Sequence, residues 1–348
     1  MAPLRTVLVV GSAGYIGLAV CQAFVRAGWR VYGLIRKSEQ AASLIVREVI
    51  PVEGSLYNSA FLVKLLEEAL RIDVVVGCAE PEDYATYLRE MLDMMHWVAQ
   101  ANQGVRPLLL WTSGSKDYGP TKAGHSILSP FTETSILDPP PPLLPRTTSS
   151  VKVLDNNKEF DVAVLRPTAV YGYGSSYYGG LFKFAEDAQK NGSQCLQIAA
   201  DPQNILHAIH VDDCADAYVA LAEHPDRRAV GGQCFNISAR AYETNKDILN
   251  ALAEEYRFLQ GARFVDVSQS LNGLDESIKI LFGFSQWVSS EKLRELTGWR
   301  DCRMLFTKNL HVYRLAYEAA AKKQLRINNR QSQWNAVDWL EPASPVRV

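Results

Sequence analysis

The sequence predicts an α/β fold in which a doubly wound parallel sheet carries a smaller C-terminal α+β lobe. Two observations predict this fold. The first half of the chain alternates short apolar segments with amphipathic ones, as parallel βαβ units with right-handed crossovers do. A glycine-rich turn also stands at residues 11–17, between the first apolar segment and the first amphipathic one. Together these observations favour a sheet covered by helices on both faces.

The turn itself reads Gly11-Ser12-Ala13-Gly14-Tyr15-Ile16-Gly17. We expect Gly11 to allow the tight turn, Gly14 to let the backbone approach a pyrophosphate, and Gly17 to bring helix and strand close together. The free N–H groups at the start of the following helix then face the anion. The turn therefore indicates a dinucleotide-binding protein and leaves the reaction open.

The elements follow from the hydrophobic pattern. Strands are predicted at residues 7–10, 30–35, 49–52, 73–77, 108–112, 161–166 and 205–210. Helices are predicted at 18–27, 59–70, 82–101, 147–156, 212–223, 244–256, 289–296 and 304–323. We assign residues 1–170, with 203–225 returning to them, to the nucleotide-binding domain. Residues 171–202 and 226–325 form the predicted substrate lobe, and 326–348 a loosely attached tail.

Composition excludes several classes of protein. The 36 basic and 38 acidic residues give a net charge of −2, which offers no electrostatic basis for binding nucleic acid or an anionic membrane. No apolar run reaches the roughly 18 residues that a membrane span needs. The six cysteines form no CxxC pair, and no His/Cys/Asp cluster has metal-ligand spacing. We expect a cytoplasmic protein that binds no metal, no nucleic acid and no membrane.

Further motifs follow the glycine turn in a fixed order. They are Thr112-Ser113-Gly114 with Tyr118-Gly119, Leu165-Arg166-Pro167 with Val170-Tyr171-Gly172, His210-Val211-Asp212-Asp213, Phe235-Asn236-Ile237-Ser238 and Gly298-Trp299. Over about residues 5–320, the chain resembles the extended short-chain dehydrogenase/reductase family, in its epimerase/dehydratase branch. The resemblance implies that an N-terminal Rossmann domain binds NAD or NADP and that the C-terminal lobe binds a small-molecule substrate.

The end of the second strand distinguishes the two cofactors. An NAD-binding fold usually places a carboxylate there for the ribose hydroxyls, whereas Arg36 and Lys37 suit a 2′-phosphate. We therefore predict NADP(H), with a solvated basic loop as the alternative. The resemblance adds further contacts after the third to sixth strands. Besides the seven residues of the glycine turn, the predicted cofactor contacts are Arg36, Lys37, Ser55, Leu56, Cys78, Ala79, Ser113, Pro167 and Val170.

The catalytic pattern departs from the family. Its Tyr and Lys, one helical turn apart, correspond here to Arg146 and Ser150, and its Ser/Thr after the fifth strand corresponds to Gly114. A literal YxxxK runs from Tyr118 to Lys122, but an internal Gly-Pro argues against the helix that such a pair needs. We therefore do not expect these two residues to act as the catalytic pair.

Two interpretations of this departure remain open. In the first, the protein reduces or oxidises a small carbonyl or alcohol, and other residues handle the proton. The predicted catalytic residues are Ser113, Ser115, Tyr118, Arg146 and Tyr171, with Lys116, Lys152 and Tyr173 as further candidates. Ser113 or Ser115 would hydrogen-bond the substrate oxygen. In the second, the protein is a non-redox cyclase or isomerase, or a nucleotide sensor. Its flat pocket would be lined by Tyr173, Tyr177, Tyr178, Phe182 and Phe184.

A homodimer is a further expectation. In many relatives the helices predicted here at residues 82–101 and 147–156 form a dimer face. Met91, Met94, Met95 and Trp97 would suit burial in such an interface, and core packing explains them equally well.

Overall fold

The computed structural model describes residues 4–58, 60–102, 104–121, 129–156, 158–174, 177–266, 275–322 and 339–340. The strands within these residues are β1 (Thr6–Val10), β2 (Arg30–Ile35), β3 (Ile50–Glu53), β4 (Val74–Gly77), β5 (Leu108–Thr112), β6 (Asp161–Pro167), β7 (Ala169–Tyr171), β8 (Leu196–Ala199), β9 (Ile205–Leu206), β10 (Ala208–His210), β11 (Gln233–Ile237), β12 (Glu243–Thr244) and β13 (Ala262–Val265). The α-helices are α1 (Tyr15–Arg26), α2 (Ala41–Ile45), α3 (Ala60–Ala69), α4 (Tyr84–Ala101), α5 (Leu144–Lys152), α6 (Gly179–Lys190), α7 (Val211–Ala222), α8 (Arg227–Val230), α9 (Asn245–Glu255), α10 (Glu276–Gly283), α11 (Glu291–Thr297) and α12 (Leu310–Lys322).

A seven-stranded parallel sheet forms the centre of the fold, in the order β11-β6-β5-β4-β1-β2-β3. Read from the other edge, its first six strands have the Rossmann order 3-2-1-4-5-6. The order reverses between β1 and β4, and a dinucleotide binds at such a switch point, outside the carboxyl ends of the strands. The predicted doubly wound sheet is thus confirmed.

Apolar side chains cover both faces of this sheet. One buried cluster joins alternate residues of the strands to α1 and α7, and the opposite cluster joins the other alternate residues to α3 and α4. Alternation of this kind follows from the period of two along a strand. A third cluster, built on α6, α9, α10 and α12, is the core of the smaller lobe. The central sheet therefore has an apolar core on each face, and the smaller lobe has an apolar core of its own.

Three differences from the prediction bear on the architecture. The strand predicted at 205–210 is divided, because β9 pairs antiparallel with β12 whereas β10 pairs parallel with β7. Helix α5 begins at Leu144 rather than 147, since Pro145 fits the first turn of a helix. Strand β11 lies within the segment 226–325 assigned to the substrate lobe, yet it pairs with β6 in the central sheet. That segment is therefore shared between the two parts of the fold.

Helix α4 shows where its methionines pack. Met91, Met94 and Met95 are buried against the sheet within one chain, so their burial needs no partner. Trp97 is 57% exposed on the outer face of the same helix. Homodimerisation therefore stays a prediction. Of Met91, Met94, Met95 and Trp97, Trp97 is the one that is exposed and available to an interface.

Candidate functional site

The glycine turn packs tightly where the strand order reverses. Gly11 has a positive φ of 84°, and a Cβ there would lie 2.7 Å from the backbone nitrogen of Ala79, just after β4. A Cβ on Gly17 would lie 2.2 Å from the carbonyl oxygen of Gly11. At Gly14, in contrast, the one close atom is that same oxygen, at 3.0 Å. Gly11 and Gly17 are needed for packing, and Gly14 leaves room on the loop for a ligand.

Other residues of the turn hold the loop in place. Ser12 is fully buried, and its hydroxyl donates to the carbonyl oxygen of Leu34 on β2 over 2.9 Å. The Tyr15 hydroxyl donates to the carbonyl oxygen of Gly172 over 2.7 Å and so ties α1 to the segment after β7. These contacts fix the start of α1, whose first N–H groups are free of any side-chain cap. Such a helix start can receive a phosphate.

The residues predicted for the adenosine end lie at the same edge of the sheet. Arg36 and Lys37 follow β2 and are exposed. Ser55 and Leu56 follow β3 and are half-buried, and Gly54 bonds its backbone N–H to the end of β2. Neither Arg36 nor Lys37 makes a hydrogen bond or ion pair with another described residue, so both cations are free to meet a phosphate.

A cavity of about 160 Å³ opens beside the turn. It is lined by residues from α1, the ends of β4, β5 and β6, helices α5 and α10, and the C-terminal segment: Ile16, Cys78, Ala79, Glu80, Tyr84, Thr112, Ser113, Gly114, Ser115, Lys116, Leu143, Arg146, Pro167, Thr168, Ala169, Val170, Tyr177, Ser277, Ile280, Leu281 and Trp339. The lining brings predicted cofactor contacts and predicted catalytic residues to one place.

Asp117 is the centre of a buried polar cluster beside this cavity. Its carboxylate has no exposed surface and accepts hydrogen bonds from the Ser113 hydroxyl (2.5 Å) and the Thr147 hydroxyl (2.8 Å). Arg146 donates from Nη2 over 2.8 Å, and Arg166 from Nε over 3.3 Å. Burial alone would raise the pKa of Asp117, but the two guanidinium charges and the Ser113 hydrogen bond hold it below its usual value. Asp117 is therefore a carboxylate that orients Arg146.

Lys116 lies next to this cluster. Its Nζ is 3.6 Å from the centroid of the Phe284 ring, and it makes no hydrogen bond or ion pair with another described residue. Burial, with the nearby charge of Arg146 adding to it, lowers the pKa of Lys116 to about 7. Lys116 therefore titrates in the range where a side chain can accept or donate a proton at neutral pH.

The structure does not support two predicted proton donors. The Tyr118 hydroxyl donates to Asn236 over 2.8 Å, and burial raises the pKa of Tyr118 to about 12. The Tyr171 hydroxyl donates to the carbonyl oxygen of Met304 over 2.7 Å, within an aromatic cluster of the smaller lobe. Neither tyrosine lines the cavity. Because both rings are buried in the protein core, both hydroxyls bond to partners inside the protein.

The predicted serines are also held by internal partners. Ser113 lines the cavity but donates to Asp117, and the Ser115 hydroxyl donates to the Gln286 side chain over 2.8 Å. Each of these two hydroxyls has already donated its hydrogen, so its oxygen can only accept a hydrogen bond from a ligand. Ser150, at the predicted position of the family's lysine, is fully buried, and its hydroxyl donates to the carbonyl oxygen of Thr147. Lys122, from the literal YxxxK, lies outside the described residues.

The aromatic pocket expected for a flat substrate is formed only in part. Tyr177 lines the cavity, whereas Tyr178 and Phe182 are buried in the core of the smaller lobe. Trp339 also lines the cavity, and its place there was not predicted from the sequence. It is 6% exposed and packs with Leu143 and Ile280, so this part of the predicted loose tail is attached.

Comparison with known proteins identifies the family. A sequence model of the NAD dependent epimerase/dehydratase family matches residues 7–238. The chain belongs to this family. An uncharacterized protein of Saccharomyces cerevisiae is 24% identical over 300 residues, which cover 84% of this chain and 94% of the yeast protein.

Solved structures of epimerase/dehydratase enzymes share the fold. A dTDP-glucose 4,6-dehydratase from Bacillus anthracis, in complex with NAD, superposes with a TM-score of 0.70 at 17% identity, over 91% of this chain and 98% of that one. A UDP-glucuronic acid 4-epimerase from Bacillus cereus, also with NAD, gives 0.66 at 19% identity, over 90% and 99%. The correspondence of Arg146 to the family's tyrosine stays a prediction from the sequence.

The described residues contain neither a metal-binding cluster nor a membrane-spanning helix. No group of three or more His, Cys, Asp or Glu side chains there could hold a metal ion. Within the same residues, no helix combines the length and the apolar character that crossing a bilayer requires.

Proposed function

We propose that this chain is a nicotinamide-nucleotide-dependent oxidoreductase that prefers NADP(H) and acts on a small carbonyl or alcohol substrate. The observation that carries the proposal is the cavity at the switch point. Its wall combines Ile16, Cys78 and Ala79 from the cofactor side with Ser113 and Arg146 from the side where the family does its chemistry. When bound, the nicotinamide nucleotide would supply or accept the hydride.

The chain's own residues would hold this cofactor. The open loop at Gly14 and the uncapped start of α1 fit the pyrophosphate, because both offer backbone N–H groups without an intervening side chain. The half-buried Cys78 and Ala79 would lie against the ribose. Burial raises the pKa of Cys78 to about 12, so its thiol stays neutral and serves as an apolar wall.

Arg36 and Lys37 support the choice of NADP(H). Both are exposed where β2 ends, and neither is engaged by a described carboxylate. A guanidinium pairs with a phosphate through two charge-assisted hydrogen bonds, and it gains little from a neutral ribose hydroxyl.

The size of the cavity favours a small substrate. Its volume of about 160 Å³ is below the roughly 300–1,000 Å³ typical of pockets for drug-sized ligands. One of the compared structures contains UDP-glucuronic acid as well as NAD. A sugar nucleotide is larger than this cavity, whose lining includes Arg146 and Trp339.

The test is calorimetric titration of the purified full chain with NADPH, NADP and NAD. We expect NADPH and NADP to bind more tightly than NAD. Arg36→Ala should weaken the binding of NADPH and NADP, which carry the 2′-phosphate, and leave the affinity for NAD unchanged. Arg263→Ala removes an exposed arginine from β13 in the smaller lobe and should change neither affinity. Equal losses for NADP and NAD in Arg36→Ala would contradict the 2′-phosphate assignment.

A redox-neutral enzyme is the second candidate. The observation that favours it is the pair of Arg146 and Ser150 at the positions of the family's tyrosine and lysine. The absorbance of reduced nicotinamide separates the two. The protein is mixed with NADPH and, in turn, with each of a panel of small aldehydes and ketones. An oxidoreductase oxidises NADPH with one of these compounds, and the absorbance falls. A redox-neutral enzyme binds NADPH and leaves it reduced, so the absorbance stays constant.

A further inference from the structure

The cations around the cavity are incompletely paired. Three of them, Lys116, Arg146 and Arg166, stand in or beside its wall. The buried carboxylate of Asp117 is shared between the two arginines, and the charge of Glu133 also acts on Arg166. Lys116 makes no ion pair with another described residue. A desolvated cation is costly unless something pairs with it, so this unpaired lysine beside a shared arginine points to an anionic ligand.

Arg146 is presented to the cavity in a fixed orientation. Its Nε and Nη2 donate to Asp117, and its side chain is 15% exposed. The guanidinium lies over Gly114, where a Cβ would stand 3.0 Å from Nη2 and 3.1 Å from Cζ. The Nη1 group makes no hydrogen bond with another described residue. Arg146 is therefore a preorganised donor with one group to spare.

Lys116 supplies the second donor. It is three residues from Ser113 on the segment after β5 and lines the same cavity as Arg146. Its ammonium rests on the face of Phe284, which stabilises a cation without neutralising it. The titratable groups around Lys116 are Cys78, Glu80, Tyr84, Arg146 and Tyr177 in the cavity wall, with Asp117 and Arg166 beside it. Arg146 is the one whose charge acts on Lys116.

We propose that Lys116 and Arg146 form an anion clamp that binds the carboxylate of a small substrate with an apolar body. This assignment rests on the proposed function, because it names the substrate class of the same site. The wall also has an apolar part, in which Leu143, Ile280 and Trp339 pack together. A cavity of roughly 150 Å³ holds a benzene ring, so about 160 Å³ limits the apolar body of the substrate to a ring or a short aliphatic chain at most.

A matched pair of probes tests the clamp without knowledge of the natural substrate. Benzoate and benzamide have the same ring and differ in charge. We expect calorimetry at about pH 6 to give wild-type protein a preference for benzoate of about tenfold or more, as charge-assisted hydrogen bonds provide. The preference should fall by about pH 8.5, because Lys116, with its pKa of about 7, is then neutral.

Variants of the two cations separate their contributions. Lys116→Met should reduce the benzoate preference and remove its pH dependence, whereas Lys116→Arg should keep the preference at both pH values. Arg146→Gln should reduce the preference at both pH values. Because this variant also leaves buried Asp117 without one of its partners, it could fold poorly. Lys116→Met does not have this difficulty, since Lys116 makes no hydrogen bond or ion pair with another described residue. Lys64→Met removes an exposed cation from α3 and should behave as wild type.

Each outcome decides the matter. No binding of benzoate, equal affinity for benzoate and benzamide, or an unchanged preference in both Lys116→Met and Arg146→Gln would overturn the clamp. Titration of the same preparations with NADPH keeps the two proposals apart. If the benzoate preference persists while no nicotinamide nucleotide binds, the proposed function fails and the clamp stands. If NADPH binds and the preference is absent, the clamp fails alone.

Discussion

Replacing Lys116 by methionine should stabilise the protein, and more so in acid than in base. The folded structure lowers the pKa of this lysine from 10.5 to about 7, chiefly through burial. The unfolded chain keeps the higher value and so binds more protons between about pH 7 and 10.5. The contribution of Lys116 to the free energy of unfolding of the wild type therefore becomes more favourable as the pH rises across that window. Below about pH 7 the folded protein bears the full cost of the buried charge.

The expected size follows from linkage. One pKa unit corresponds to about 1.36 kcal/mol, so Lys116 should make the wild type about 2–3 kcal/mol less stable at pH 6 than at pH 9. Methionine has a similar length and no charge. The gain in unfolding free energy from Lys116→Met should thus be larger by about 2–3 kcal/mol at the lower pH.

Urea unfolding of wild type and Lys116→Met at the two pH values measures this difference. Comparing the two proteins at each pH cancels the other titrating groups. Lys152→Met provides the control, because an exposed lysine keeps its ordinary solvation and its removal should have the same small effect at both pH values. An equal effect of Lys116→Met at pH 6 and pH 9 would refute the claim that Lys116 is desolvated in the folded protein.

Three further predictions test the loop and the buried cluster. Gly14→Val should abolish nucleotide binding in calorimetry and leave the circular dichroism spectrum unchanged, and retained binding would contradict the assignment of the glycine loop. Asp117→Asn should cost about 3–5 kcal/mol in urea unfolding, because it leaves two buried guanidinium groups without their carboxylate, and a loss below about 1 kcal/mol would show that the cluster is not electrostatically coupled. Tyr118→Phe should cost about 1–2 kcal/mol in stability through its lost hydrogen bond and leave NADPH and benzoate binding intact, and a loss of either would return Tyr118 to the site.

The sheet could be predicted from sequence because its signals are local. Each strand from β1 to β6 is a short apolar run followed by a helix or a turn, and the predicted bounds agree with the structure to within one residue at either end. The lobe was harder. Strands β9 and β10 form one apolar run in the sequence, and what divides them is a change of pairing partner, from β12 to β7. A pairing partner distant in the chain leaves no local signal.

The residues around the cavity could be predicted only in part, for a related reason. Ser113 and Arg146 were found because they occupy positions of a family motif. Tyr118 and Tyr171 were chosen on the same ground, and the structure shows their hydroxyls bound to Asn236 and to the backbone of Met304. Nothing in the sequence distinguishes a tyrosine that faces a cavity from one that completes a core.

Asp117 was missed because its importance lies in its neighbours. In the sequence, Gly114 and Arg146 are two separate departures from the family pattern. In the structure they are one change, since the guanidinium occupies the space that a side chain at 114 would need, and Asp117 holds it there. Restoring a serine at 114 would bring its side chain against that guanidinium, so the two positions are coupled. We predict that Arg146 stands where the family has its tyrosine, and a fixed positive charge at that position suits a substrate that brings a negative charge with it.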